Sequence, residues 1–169
     1  MRWLAAIGAA LLCVAAPTAS PAAHWWENGP ALPKRTGRVV DEAGLLSPVV
    51  RAELSSRLAR LEKATGHQLV ILTVRSLKGQ TIEDFGVRVG RTWGVGRRGV
   101  DDGVLLIVAP TERKVRIEVG YGLEKRLSDP LCAKIIRERI APHFARGDMS
   151  GGIVAGTDAI IAGLGNKPG

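Results

Sequence analysis

Cysteine is scarce, two among 169 residues, which excludes a small domain stapled by disulfides. The three histidines, His24, His67 and His143, stand far apart, so no zinc-type cluster of His and Cys can be spelled. No serine sits in a G-x-S-x-G turn, and an esterase-type nucleophile has no support. No internal repeat occurs. Beyond the N-terminal segment no apolar run approaches the roughly 20 residues a membrane helix needs; the longest, Ile153 to Leu164, is short and contains Asp158.

What is present describes a folded chain. Hydrophobic residues make up 46% and charged residues 24%, which excludes a disordered or collagen-like polymer and fits one domain with a real core. The formal net charge is +8. The arginines are scattered over helix faces (Arg51, Arg57, Arg60, Arg137, Arg139) with no aromatic residues between them, so nucleic acid is not the expected partner. Attraction to anionic lipid headgroups or wall polymers follows from the charge but is unspecific.

Arg2 is followed by an uncharged apolar run from Trp3 to Ala16 and then by small residues, Pro17 to Ala23. One positive charge, a short apolar core and a small-residue exit are the layout of a secretory signal peptide. Cleavage is expected between Ser20 and His24, giving a periplasmic or secreted protein. Leu12 before Cys13 argues against lipoprotein processing. Removal of the segment leaves Cys132 alone, in an apolar helical stretch where a buried, inert thiol is expected. The organisation read from the sequence is a signal peptide over 1–23, an extended Pro/Gly/Trp-rich arm over 24–37, one domain over 38–165 and a tail over 166–169. Trp25-Trp26 in the arm offers a handle for a membrane or envelope protein partner; the alternative is that the arm lies over an apolar patch of the domain.

Ser47-Pro48 opens a helix with a hydroxyl cap and a first-turn proline, and Val50, Leu54, Leu58 and Leu61 form its apolar stripe. Gly66 closes it. His67 to Val74 reads as a strand covered on both faces. Thr81 caps a second helix, with Glu83 and Asp84 in its first turn and Phe85, Val89 and Trp93 inside. Val104 to Ala109 is a second buried strand, and Val115, Ile117 and Val119 alternate with Arg116 and Glu118 in a third strand with one polar face. Asp129-Pro130 is read as the cap and first residue of a third helix, ended by Gly147, and a helix of small residues follows from Met149 to Leu164. Strand, helix, strand, hairpin, strand predicts an α/β fold, a three-layer α/β/α sandwich with a small mixed sheet.

Gly94-Val95-Gly96-Arg97-Arg98-Gly99 matches G-x-G-x-x-G, but it follows a helix and precedes a strand. Dinucleotide binding needs the reverse order, so no nicotinamide or flavin cofactor is expected. Asp101-Asp102-Gly103 does not fit an EF-hand loop. Chain direction is more informative. The second helix ends, the second strand begins and the third strand ends at the same pole of the sheet. Asp101, Asp102, Glu124 and Asp129 therefore gather there. Carboxylates on glycine-rich loops suit a hard cation such as calcium or magnesium. Each acid also has a local alternative: Asp129 as a helix cap, Asp102 as a turn residue, and ion pairs with Arg97, Arg98, Lys125 or Arg126 for the rest.

Several ordered motifs carry a resemblance. Val40-Asp41-Glu42-Ala43-Gly44-Leu45-Leu46-Ser47, Gly66-His67-Gln68-Leu69-Val70, Trp93-Gly94-Val95-Gly96, Asp101-Asp102-Gly103-Val104-Leu105-Leu106 and Ile117 through Glu124 are similar to the TPM-domain family. Asp129, Ile140-Ala141-Pro142-His143-Phe144 and Gly152-Ile153 extend the likeness over nearly all of the mature chain. The resemblance implies an α/β/α sandwich exported to the bacterial envelope or thylakoid lumen. Members include proteins linked to photosystem repair, for which acid phosphatase activity has been claimed, and others that bind calcium. It carries an acidic site onto Asp41, Asp101, Asp102, Glu124 and Asp129, although strand counting puts Asp41 at the other end of the sheet. The first expectation is a soluble extracytoplasmic module that binds a divalent cation, calcium before magnesium, and serves envelope or membrane-protein maintenance. The alternatives are a metal-assisted acid phosphatase, with Arg97 or Arg98 steadying phosphate, and a metal-free interaction module.

Overall fold

A computed structural model describes residues 29–165. The signal segment, Trp25-Trp26 and the tail lie outside the described residues. Four strands form one mixed sheet in the order β1-β2-β3-β4. They are β1 (Val39–Asp41), β2 (Gln68–Thr73), β3 (Gly103–Ala109) and β4 (Lys114–Val119). The first three run parallel and β4 returns antiparallel to β3. Nothing in the sequence marks β1, because three residues are too few for an alternation to show. Pairing with β2 makes it a strand.

Helices cover both faces, as the unbroken apolar runs require. Even-numbered residues of β2 (Val70, Leu72) and odd-numbered residues of β3 (Leu105, Ile107) pack with Phe85 and Val89 of α2 (Ile82–Trp93). The opposite parity, Leu69, Ile71, Val104 and Leu106, packs with Leu54, Leu58 and Leu61 of α1 (Pro48–Thr65) and with the C-terminal helices. The result is the α/β/α sandwich read from the sequence.

The caps follow local chemistry. Ser47 Oγ accepts from the Val50 amide at 3.2 Å and Thr81 Oγ1 from the Asp84 amide at 3.1 Å. Gly66 closes α1 in the left-handed region at φ +77°. The third helical segment departs from expectation. Ser128 occupies the cap position of α3 (Asp129–Ile135), which places Asp129 one residue inside, in the first turn where a negative charge favours the helix dipole. Nor does this helix run evenly to Gly147. It widens into a π-helical stretch over Ile136–Ile140 before α4 (Ala141–Ala145). Pro142 has no N–H to give the carbonyl four residues back, and its ring crowds that carbonyl, so the preceding turn opens.

α5 (Met149–Gly165) packs closely on this segment through small residues. A Cβ at Gly156 would lie 2.5 Å from Ile140 Cδ1, and one at Gly152 would lie 2.5 Å from Phe144 Cε1. The described part of the arm lies along α2. Trp93 Nε1 donates to the Pro33 carbonyl at 3.0 Å, Arg35 donates to the Trp93 carbonyl at 3.0 Å, and the buried Arg88 donates to the Pro30 carbonyl at 3.0 Å. Leu32 adds to the apolar cluster beneath. Among the described residues no helix is long and apolar enough to cross a membrane.

Replacing glycine by alanine inside a helix ordinarily gains up to about 1 kcal/mol. Gly156→Ala should reverse that sign and cost about 1–2 kcal/mol, because Ile140 is fully buried and has nowhere to move. A lowered urea midpoint with an unchanged m value checks it.

Candidate functional site

The parallel strands β2 and β3 start at one pole of the sheet, and β4 ends there. The loop from Gly94 to Asp102 and the turn from Gly120 to Glu124 meet at that pole. Their backbones interlock. The Gly120 amide donates to the Gly103 carbonyl at 2.8 Å, and the Gly122 amide donates to the Asp101 carbonyl at 3.1 Å. A Cβ at Gly120 would stand 2.1 Å from the Asp101 carbonyl oxygen, and one at Gly122 would stand 2.1 Å from that of Val100. Only glycine permits this approach. Of the glycines in the nucleotide-like spacing, Gly96 makes a similar approach, since its Cβ would stand 2.6 Å from the Gly103 amide nitrogen, while Gly94 and Gly99 turn the backbone at positive φ with nothing within 4 Å.

Asp102 anchors the first loop. Its carboxylate is 1% exposed and accepts from the Arg97 amide at 2.8 Å, Arg97 Nε at 2.8 Å and Arg97 Nη2 at 2.6 Å. His67 Nδ1 lies 3.6 Å away. Burial alone would push the Asp102 carboxyl upward, but the Arg97 guanidinium and amide, with His67, hold it below its ordinary value. Gln68 ties the same loop to α1: its Oε1 accepts from the Gly96 amide and its Nε2 donates to Glu62, both at 3.0 Å.

Asp101, next in the chain, is exposed and sits at φ +52°, a conformation uncommon outside glycine. Its side chain, with those of Glu124 and Asp129, lines one cleft of about 910 Å³ between α2, the outer edge of β4 and α3. No hydrogen bond or ion pair among the described residues engages these three carboxylates. Arg98 and Tyr121 line the same cleft, and Tyr121 is 80% exposed. Cys132 lies on its wall beneath Asp129. Burial and the neighbouring Asp129 charge push its thiol up to about 11, so the inert thiol read from the sequence is what the fold contains.

The five acids named from the sequence thus divide. Asp101, Glu124 and Asp129 share the cleft. Asp102 lies directly behind it, spent on Arg97. Asp41 lies at the opposite pole, at the C-terminal end of β1 across from Thr73. There it accepts from the Leu45 amide at 3.0 Å, the Leu46 amide at 2.9 Å and the Thr73 hydroxyl. Among the described residues no three His, Cys, Asp or Glu side chains are gathered closely enough to hold a metal ion. The sequence offered Arg97 and Arg98 as ion-pair partners for the acids of this pole and read Asp102 as a turn residue; the structure gives Arg97 to the buried Asp102, a pairing whose only signal was an Arg-Arg pair four and five residues ahead of the aspartate.

Residues 39–163 match the family profile of the TPM domain. The chain is similar to the N-terminal domain of a P. gingivalis protein solved by solution NMR, with 36% identity over 76% of this chain and 82% of that one and a TM-score of 0.72. It shares its fold with the N-terminal domain of the Corynebacterium glutamicum protein cg2496, at 13% identity, 83% and 90% coverage and a TM-score of 0.60. The BA42 protein of the psychrophilic bacterium Bizionia argentinensis also shares it, at 19% identity, 70% and 81% coverage and a TM-score of 0.60. No curated protein matches the chain.

Asp102→Asn should destabilise the fold by about 2 kcal/mol, the scale of a charge-assisted hydrogen bond. The pH dependence has a definite sign. A carboxyl held below its ordinary 3.8 in the folded state contributes fully above that pH, and its contribution is lost as pH falls through the folded value. Wild-type stability therefore drops in acid, and Asp102→Asn flattens part of that limb. Asp148, lowered by its bond to His143, and Glu112, lowered by Ser76, supply the remainder. Urea unfolding between pH 2 and 6 (on the order of the carboxylate range) checks both statements.

Proposed function

The chain belongs to the TPM-domain family, and from that premise we propose that it is an extracytoplasmic module binding a divalent cation, calcium before magnesium, at the acidic end of the cleft. One observation carries the reading: Asp101, Glu124 and Asp129, from three separate segments, line a single cleft, and no hydrogen bond or ion pair among the described residues engages them. No three acids among the described residues stand close enough as they lie to hold an ion, so the reading requires these exposed side chains to swing together around a hard cation. The donors are carboxylate oxygens on exposed side chains, with Asp129 in the first turn of α3, and water would complete a shell of six to eight oxygens. Asp41 and Asp102 are engaged elsewhere, so the proposed ligands are Asp101, Glu124 and Asp129. Asp102 acts from behind, keeping the Asp101 backbone in place through Arg97. The N-terminal segment supports export, and export with cation binding supports a role in envelope or membrane-protein maintenance.

A second reading rests on Arg98, a cation on the wall of the same cleft. There it could hold a phosphate oxygen while the acids hold the metal that polarises the ester, which is the arrangement of a metal-assisted phosphatase. Arg97 is less suited, since Nε and Nη2 are already spent on Asp102.

Calcium should raise the melting temperature of the protein, the gain growing by about 1.4 kcal/mol for each tenfold excess over the dissociation constant. Asp101→Asn combined with Glu124→Gln should abolish the rise while leaving metal-free stability nearly unchanged, because neither side chain has a partner to lose among the described residues. A calcium titration followed by calorimetry on both proteins decides it. Phosphate-ester turnover that disappears in Arg98→Ala, with calcium binding kept, would favour the second reading.

A further inference from the structure

β4 is an outer strand of the sheet among the described residues, and its free edge runs along the cleft between α2 and α3. In an antiparallel ladder, pairs that exchange both hydrogen bonds alternate with pairs that exchange none. The bond from the Gly120 amide to the Gly103 carbonyl continues the register in which Glu118 faces Leu105 and Arg116 faces Ile107. Lys114, Arg116 and Glu118 therefore spend their backbone groups on β3. Those of Val115, Ile117 and Val119 point away from it, unmatched among the described residues.

Open edges are usually blunted by shortness, proline, bulges or unpaired charge. The other outer strand, β1, is three residues long. β4 has six residues, an unbroken register and no proline. Two of its three charges are matched, with Arg116 Nε 2.5 Å from Glu118 and Arg116 Nη1 3.8 Å from Glu83, and the exposed Lys114 stands at its first residue, outside the Val115–Val119 stretch. On the α2 wall beside it, a Cβ at Gly90 would meet nothing within 4 Å.

The pattern Val115-Arg116-Ile117-Glu118-Val119 complements itself. Laid antiparallel on a second copy with Ile117 opposite Ile117, it sets Val115 against Val119 and Arg116 against Glu118 on both sides of the axis. One face of the new ladder is wholly β-branched and apolar, and the other carries two opposite-charge pairs. The same register makes Ile117–Ile117 and both Val115–Val119 pairs hydrogen-bonded ones, so every outward amide and carbonyl of the three residues finds a partner. Lys114 of the second copy falls opposite Gly120, at the acidic end of the cleft.

We propose that the chain forms a two-fold symmetric dimer by antiparallel β4–β4 pairing, which joins two four-stranded sheets into one. The test is sedimentation equilibrium of the full chain from micromolar to millimolar concentration, in chelator so that cation binding plays no part. Wild type should approach twice the chain mass. Arg116→Glu alone sets glutamates opposite one another, and Glu118→Arg alone sets arginines opposite one another; each should weaken association at least tenfold. An equimolar mixture of the two should restore it as a heterodimer, because every cross-pair is then of opposite charge; failure to fold could not produce that result. Hydrogen exchange at the Val115, Ile117 and Val119 amides should slow as concentration rises. A monomeric wild type, association indifferent to both substitutions, or protection of these amides at every concentration, which would mean another segment of the same chain fills the edge, would overturn the proposal.

Discussion

The buried Asp102–Arg97 pair is the constraint on which the functional pole depends. A carboxylate withdrawn from water is costly unless its oxygens are filled, and here one residue fills them three times, with its amide and two guanidinium nitrogens. The pair closes the loop from Arg97 to Asp102 at the foot of β3. With that loop fixed, the Val100 and Asp101 carbonyls stand where the glycines of the 120–122 turn can press against them. Loop geometry at this pole is thus set by backbone contact and one ion pair, and the exposed acids are left to point into solvent.

That division assigns neighbouring residues opposite roles. Asp102 is spent on structure and Asp101 is not. The difference comes from orientation: Asp102 turns inward at the first step of the strand, while Asp101 adopts a left-handed backbone that turns its side chain to the cleft. Asp41 repeats the structural role at the other pole, where its carboxylate organises the turn into α1 through the Leu45 and Leu46 amides.

Much of the fold was legible in the sequence because each element announces itself by chemistry that acts locally. Ser47-Pro48, Thr81 and Gly66 are caps in the structure as they are in the sequence, and the unbroken apolar runs of β2 and β3 correctly require two covering layers. What was not legible depends on partners remote in sequence. β1 exists because β2 offers an edge to Val39–Asp41. Ser128 takes the cap position that Asp129-Pro130 suggests for Asp129. The π-helical turn reflects a conflict between Pro142 and a helix that must still bring Ile140 against Gly156. For the site, chain direction was enough to bring Asp101, Glu124 and Asp129 to one pole and to place Asp41 at the other. It could not distinguish Asp101 from Asp102, since that depends on a single backbone torsion.

The covering of the sheet on both faces has a consequence for the chain before it is folded. Leu69 to Thr73 and Val104 to Ala109 contain no charge and no proline, and segments of that kind stack readily with their own kind. Their solubility is lent to them by α1 and α2, which are separate in sequence and dock from opposite sides. A lesion that loosens either helix would therefore show itself first as aggregation, and only secondarily as lost binding, since the adhesive strands lie directly beneath.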